Sequence, residues 1–250
     1  YLERRILSGR DCRRIVTNSR LCGDHAQRYY GVPAERIDVV YNGVNHQTFN
    51  PESMAELRGE VRRELGLKDD DLALLHISNN WPRKGLGFLL QAVAQLGIQG
   101  RHLHVLVVGR GRPAPFRKLA ARLGLAERLH LVGETAQVQR YYAAGDLMVL
   151  PTLYDPFSNV CLEAMACGMA VVTTAENGAS ELIRPGENGY IQKNPRDVRE
   201  LADCLGQCLT RDALASMGAA ARTTALPFTR EKNMRQTLAV FSRVLREKQS

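Results

Sequence analysis

The chain has 250 residues, 44% hydrophobic and 24% charged, with 34 Lys and Arg against 26 Asp and Glu. These proportions exclude collagen, coiled-coil arrays and wholesale disorder, and no apolar run approaches the roughly 18 residues a membrane span needs. The net charge of +8 favours anionic partners, but the arginines are scattered and only 6% of residues are aromatic, which disfavours nucleic acid.

The length suits one large domain or two small ones, at about 150 residues each. Residues 1–10 hold neither an initiator Met nor an apolar signal core, and they read as the start of a piece cut from something longer. A strand is predicted over 14–19, a helix over 20–30 and a second strand over 37–41, closed by the turn signal Asn42-Gly43. A polar helix follows over 52–67. Strands are then predicted at 72–78, 103–109, 129–132, 147–150, 170–174 and 189–192. Helices at 84–96, 116–123, 137–144, 159–167 and, briefly, 179–183 separate them, and three more lie near 196–209, 211–224 and 230–247.

The strands between 72 and 174 are continuously apolar rather than alternating, as a parallel sheet covered on both faces requires. The alternation of strand and helix makes the fold class α/β, a doubly wound parallel sheet. Residues before 42 read as the end of a different sheet, because 43–71 holds no strand. No C-x-x-C pair occurs among the six cysteines, which read as free thiols of a reducing compartment. His102 and His104 share a strand face and read as structural.

Ligands of doubly wound sheets gather at the carboxyl ends of the strands, so the loops there carry the chemistry. The first ends in Arg83-Lys84-Gly85. A guanidinium fork beside an ammonium can hold a diphosphate, although alone the pair is equally a solvated basic turn. The second, Gly109-Arg110-Gly111, lacks the spacing of a phosphate loop. The third runs from Tyr154 to Glu163. Asp155 precedes a helix and Glu163 lies eight positions on, too far for a close acid/base dyad. The two could bracket an extended ligand whose phosphates lie on the helix N-terminus; otherwise Asp155 is a cap and Glu163 a structural acid. A Glu between Leu162 and Ala164-Met165 needs a partner in either case. In the fourth loop Glu181 either meets a ligand or decorates a first helical turn.

Arg83-Lys84-Gly85, the run from Asp155 to Gly168, residues 171–174 and Asn177-Gly178-Ala179-Ser180-Glu181 together resemble family 4 retaining glycosyltransferases. Within that family the sequence is most similar to the lipopolysaccharide core glucosyltransferase I subgroup, over about residues 1–241. The resemblance implies the GT-B architecture, two Rossmann-like domains facing across a cleft. It makes 1–42 the remnant of the acceptor domain, 43–230 the nucleotide-sugar donor domain and 231–250 a helix crossing back to the absent half.

It also implies roles. Arg83 and Lys84 would hold the donor diphosphate, and Glu163 the ribose hydroxyls. Asp155, one methylene shorter than the family's first Glu of E-x7-E, would touch the donor sugar. Phe157, Ser158, Asn159 and Val160 would offer backbone N–H groups, and Val132 and Gly133 would meet the base. Departing diphosphate would be stabilised as an oxyanion. The family needs neither metal nor cofactor; UDP-glucose is the expected substrate, and a lipopolysaccharide-core or other glycan or glycolipid the acceptor. The expected location is cytoplasmic, peripheral on the inner face of the inner membrane. The alternative is a nucleotide-sugar-binding module without turnover, its acceptor half being absent.

Overall fold

The computed structural model describes residues 2–7, 9 and 12–249. Tyr1, Ser8, Arg10, Asp11 and Ser250, which belong to the expected segments 1–42 and 231–250, lie outside the described residues. A short helix α1 (Leu2–Leu7), not foreseen from the sequence, leads to strand β1 (Ile15–Thr17), helix α2 (Arg20–Tyr30) and strand β2 (Ile37–Val39). The two strands pair in parallel, Ile15 opposite Ile37, with α2 as their crossover. Helix α3 (Pro51–Glu64) starts where the sequence places a start. Asn50 Oδ1 accepts from the Ser53 N–H at 2.8 Å, and Pro51 occupies the first turn.

Six further strands follow: β3 (Leu72–Ile77), β4 (Leu103–Val108), β5 (Leu129–Gly133), β6 (Leu147–Leu150), β7 (Ala170–Thr174) and β8 (Gly189–Gln192). All pair in parallel, in the order β5-β4-β3-β6-β7-β8. Between them run α4 (Leu86–Gln95), α5 (Pro113–Arg122), α6 (Gln139–Ala144), α7 (Asn159–Ala166) and a 3-10 turn, Gly178–Leu182. Helices α8 (Val198–Gly206), α9 (Arg211–Ala225) and α10 (Arg230–Gln249) complete the chain.

Leu75, Ile77, Leu106 and Met148 pack into a core on one face of the sheet, and Leu74, Val105, Val107 and Leu147 into a second core on the other. Neither face meets water, which is why these strands read as unbroken apolar runs. Chain order reverses between β3 and β6. Such a switch point opens a crevice at the carboxyl ends of the two strands.

Two boundaries differ instructively. Helix α4 begins at Leu86 rather than at 84, because Gly85 adopts φ +79° and a Cβ there would collide with the Pro151 carbonyl. The loops after β3 and β6 are thus pressed together by a residue only glycine can supply. Helix α3 stops at Glu64, with Gly66 at φ +67° turning the chain toward β3.

At the amino edge of the sheet Arg62, 7% exposed, donates to Asp146 Oδ2 at 3.0 Å and to the Ala144, Lys68 and Asp71 carbonyls, fastening α3 below β6. His104 meets His130 there at 2.9 Å and Asp71 at 3.4 Å. Residues 42–44 run beside 228–230: the Val44 N–H donates to the Phe228 carbonyl at 3.0 Å, and Gly43 abuts Thr229. Helix α10 then returns to the β1–β2 unit. Asp38 receives Arg243 and, at 3.2 Å, Arg14, while Asn233 donates to the Tyr41 carbonyl at 2.8 Å.

Candidate functional site

The loop after β3 is rigid because Trp81, 1% exposed, donates its indole N–H to the Ser78 carbonyl at 3.1 Å. The backbone of Gly111 lies against the Trp81 ring, and Gly109 against the Ser78 carbonyl. Those two glycines serve close packing between neighbouring loops, consistent with a G-x-G that lacks the phosphate-loop spacing. The stiffened loop presents Arg83 and Lys84 to the loop after β6. Arg83 donates to the Tyr154 carbonyl at 2.7 Å, and Lys84 Nζ forms an ion pair with Asp155 Oδ2.

Asp155 is held from three sides. Its N–H donates to the Glu176 carbonyl at 2.9 Å, and its carbonyl accepts from Gly178 at 2.9 Å. Its Oδ1 accepts from the Phe157 N–H at 3.2 Å. Loops after β3, β6 and β7 therefore converge on one residue at the switch point, the β3 loop through the Asp155 carboxylate and the β7 loop through its backbone.

Four backbone donors were expected to face phosphate and sugar. The Phe157 N–H is taken by Asp155, and the Ser158 N–H donates to Asn177 Oδ1 at 3.2 Å. Asn177 is itself fully buried, anchored by donation to Thr173 Oγ1 at 2.9 Å. Among the described residues the N–H groups of Asn159 and Val160 have no internal acceptor. The free donors at the start of α7 are these two.

Glu163 lies one turn further along α7. Its Oε2 accepts from the Tyr142 hydroxyl at 2.7 Å. Burial pushes the Glu163 carboxyl above its ordinary range, while the Tyr142 bond and the Arg230 charge pull it back. Glu163 lines a cavity of about 260 Å³ with Asn42, Asn159, Arg230 and Asn233. Asn42 Nδ2 donates to Asn159 Oδ1 at 2.7 Å across its mouth. The sequence marked Asn42 only as part of a turn and gave Arg230 and Asn233 no signal; only the fold brings residues 42 and 230 beside 163.

Val132 and Gly133 end β5, two strands from β3, and the Gly133 carbonyl accepts from Gly109 at 2.7 Å. They belong to the same carboxyl-end surface as Arg83 and Asp155. Glu181 does not. Its carboxylate accepts from the Arg20 and Leu21 N–H groups at 3.0 and 2.9 Å and from the Tyr41 hydroxyl at 2.6 Å. The sequence placed Glu181 either against a ligand or on the first turn of its own short helix; its carboxylate instead serves the first turn of α2, 160 residues upstream. Ser19 Oγ likewise donates to the Pro156 carbonyl at 2.6 Å, so the amino-terminal unit sits directly on the Asp155 loop.

A larger cavity, about 400 Å³, opens at the opposite, amino edge of the sheet beside Leu72, Asp146 and Met169. It is remote from the loops at the carboxyl ends. All six cysteines are free thiols. Among the described residues no group of three or more His, Cys, Asp or Glu is placed to share a metal ion, and no helix is long and apolar enough to cross a membrane.

The family model described as glycosyl transferases group 1 matches residues 71–211, more than half of the chain. The chain belongs to this family. A second model, glycosyltransferase family 4, matches residues 1–48. The group 1 relatives include the lipopolysaccharide glucosyltransferase WaaG of Escherichia coli, 29% identical over 75% of this chain and 50% of WaaG. They also include a D-inositol 3-phosphate glycosyltransferase of Geodermatophilus obscurus, 32% identical over 94% of this chain and 53% of the relative. Among solved structures, Anabaena HepE in complex with UDP-glucose superposes with a TM-score of 0.79, at 27% identity, covering 92% of this chain and 64% of HepE. The architecture is accordingly the Rossmann-like doubly wound sheet of GT-B proteins. The chain spans about half the length of the curated relatives it matches.

Proposed function

We propose that this group 1 chain is the donor half of a glycosyltransferase, binding a nucleotide diphosphate sugar at the β3/β6 switch point. The observation that carries the reading is convergence. Arg83 and Lys84, on the loop after β3, meet Asp155, on the loop after β6, beside the two free N–H groups that open α7. A diphosphate suits a site with two cations and a helix N-terminus.

In this reading Arg83, Lys84 and the Asn159 and Val160 N–H groups hold the diphosphate. They stabilise the negative charge that grows on it as the glycosidic bond breaks. Such cations replace a metal in that role, so turnover proceeds without one. The incoming diphosphate draws Lys84 away from Asp155, and the freed carboxylate accepts from hydroxyls of the donor sugar. Glu163 takes the ribose hydroxyls, and Val132-Gly133 the base. The acceptor hydroxyl attacks from the face the diphosphate leaves, which retains the anomeric configuration.

UDP-glucose is the donor, supported by HepE, solved with UDP-glucose. A lipopolysaccharide-core glycan or glycolipid is the acceptor, supported by the likeness to WaaG, and the protein works at the cytoplasmic face of the inner membrane as a peripheral enzyme. Nucleic acid is not a partner.

Calorimetry with UDP-, ADP- and GDP-glucose, with and without EDTA, tests the donor site. Binding of UDP-glucose unaffected by EDTA is expected, and no binding at millimolar donor would refute the reading. A transfer assay with donor hydrolysis as control separates turnover from binding alone.

A further inference from the structure

Glu163 sits in the middle of an apolar helix, and among the described residues the one hydrogen bond to its carboxylate comes from another element. Tyr142, on α6, is 2% exposed, with its ring edge-on to Phe49 at 5.4 Å and 83°. Its hydroxyl has a single proton and two acceptors in reach, Glu163 Oε2 at 2.7 Å and the Val160 carbonyl at 3.4 Å. The shorter contact to the charged oxygen takes the proton. Among the described residues no second hydrogen bond reaches the Glu163 carboxylate. One oxygen is therefore fixed, and the other is left to the cavity shared with Asn42, Asn159, Arg230 and Asn233.

Tyr142 does not line that cavity; its ring borders the larger one at the amino edge. It is placed to act on a ligand only through Glu163. Gripping a vicinal diol demands a carboxylate whose plane is held, because both hydroxyls must be met at once. A free Glu side chain rotates about three bonds and loses that geometry.

We infer that Tyr142 is a positioning residue of the donor site, orienting Glu163 so that its free oxygen meets the ribose diol of the nucleotide. This rests on the reading of Glu163 as the ribose contact. The hydrogen bond has a second effect, since it opposes the burial that pushes the Glu163 carboxyl up. The other titratable or charged groups felt there are Cys167, just past the end of α7, and Arg230 at the start of α10.

The test measures affinity of the full chain for UDP and for 2′-deoxy-UDP, which lacks one hydroxyl of the diol. Wild type should prefer UDP. Tyr142→Phe should weaken UDP binding about tenfold and leave 2′-deoxy-UDP nearly unchanged. Its UDP affinity should also begin to fall at a higher pH than in wild type. A merely structural role would weaken both nucleotides alike and leave the pH profile in place.

Glu163→Gln separates the two levels of the argument. If it keeps the full preference for UDP, Glu163 is not the ribose contact, and the inference fails with it. If Glu163→Gln loses the preference while Tyr142→Phe keeps it, the donor reading stands and the Tyr142 role is overturned. The double variant covers the case in which Tyr142→Phe folds poorly, because it carries no buried unpartnered carboxylate. Adding Tyr142→Phe to Glu163→Gln should cost no further UDP affinity. A further tenfold loss in that background would show that Tyr142 does not act through Glu163.

Discussion

Lys84 and Asp155 face each other across the switch point with side chains only 12% and 11% exposed. A pair this enclosed returns through attraction roughly what it loses in desolvation, so its net contribution is small, yet either partner alone is costly. We predict that Lys84→Met lowers the unfolding free energy by about 3 kcal/mol, because the Asp155 charge is left buried without its cation. Adding Asp155→Asn should restore most of that loss, and urea unfolding of the two variants is the check. A Lys84→Met protein as stable as wild type would contradict the argument. Donor binding should not recover with stability: the double variant regains its fold but still lacks the cation for the diphosphate. In the proposed donor site, the ion pair holds both side chains at the crevice until the diphosphate exchanges one partner for another.

Helix α2 shows how elements distant in sequence depend on one another. It has no acid in its own first turn, and Glu181, from the 3-10 turn after β7, supplies the missing charge to the Arg20 and Leu21 N–H groups. Glu181→Ala should cost about 1 kcal/mol, as loss of an N-terminal cap does. Amide exchange at Arg20 and Leu21 should accelerate severalfold, while protection across β3, β4 and β6 stays as it was. Loss of protection throughout the sheet would mean that the contact supports more than α2. Residue 181 was visible in the sequence as an acid at a helix start, but that it serves α2 was not. The same limit governs the site. Continuous apolar strands, Asn50-Pro51 and the Asp155–Glu163 spacing are local patterns, and they were legible. Tyr142 lies 21 positions from Glu163, and Asn42 and Arg230 lie further still; a buried Glu announces that it needs a donor, never which one. Nor could spacing reveal that the Phe157 and Ser158 N–H groups are spent on Asp155 and Asn177. Gly85 was read as part of the helix over 84–96, and the approach of Pro151 that makes glycine necessary appears only once the two loops are side by side.

The molecule as a whole carries a pH dependence of predictable sign. Burial lowers the pKa of His46, His76, His104 and His130, four of the six histidines, at sites spread from the 42–49 segment to the amino edge of the sheet. A base whose folded pKa lies below its unfolded value binds fewer protons when folded. Its contribution to stability is therefore intact above the unfolded pKa of 6.5 and is lost as pH falls toward the folded pKa. His76 is the strongest case, pushed down to about 4 by complete burial in β3. Its Nδ1–H donates to the Val149 carbonyl at 3.1 Å, and Nε2 accepts from the Ser78 hydroxyl at 3.1 Å, so the neutral ring is satisfied on both sides. At about 1.4 kcal/mol for each pKa unit, protonating it is worth about 3 kcal/mol of lost stability between pH 6.5 and 4. Glu163 works the other way, since a carboxyl raised by burial is relieved by its proton as the pH falls, but it stands against four histidines. Unfolding free energies from urea titrations at pH 7.5, 6.0, 5.0 and 4.5 should therefore decline steadily. His76→Gln cannot take up that proton, and its curve should be flatter by about 2–3 kcal/mol over the same interval. Equal slopes for the two proteins would overturn the assignment. Because β3 runs directly into the Arg83–Lys84 loop, wild type should lose donor binding together with its fold on acidification. The flatter variant should keep its fold at a pH where Glu163 is already taking up a proton, so that donor affinity falls first.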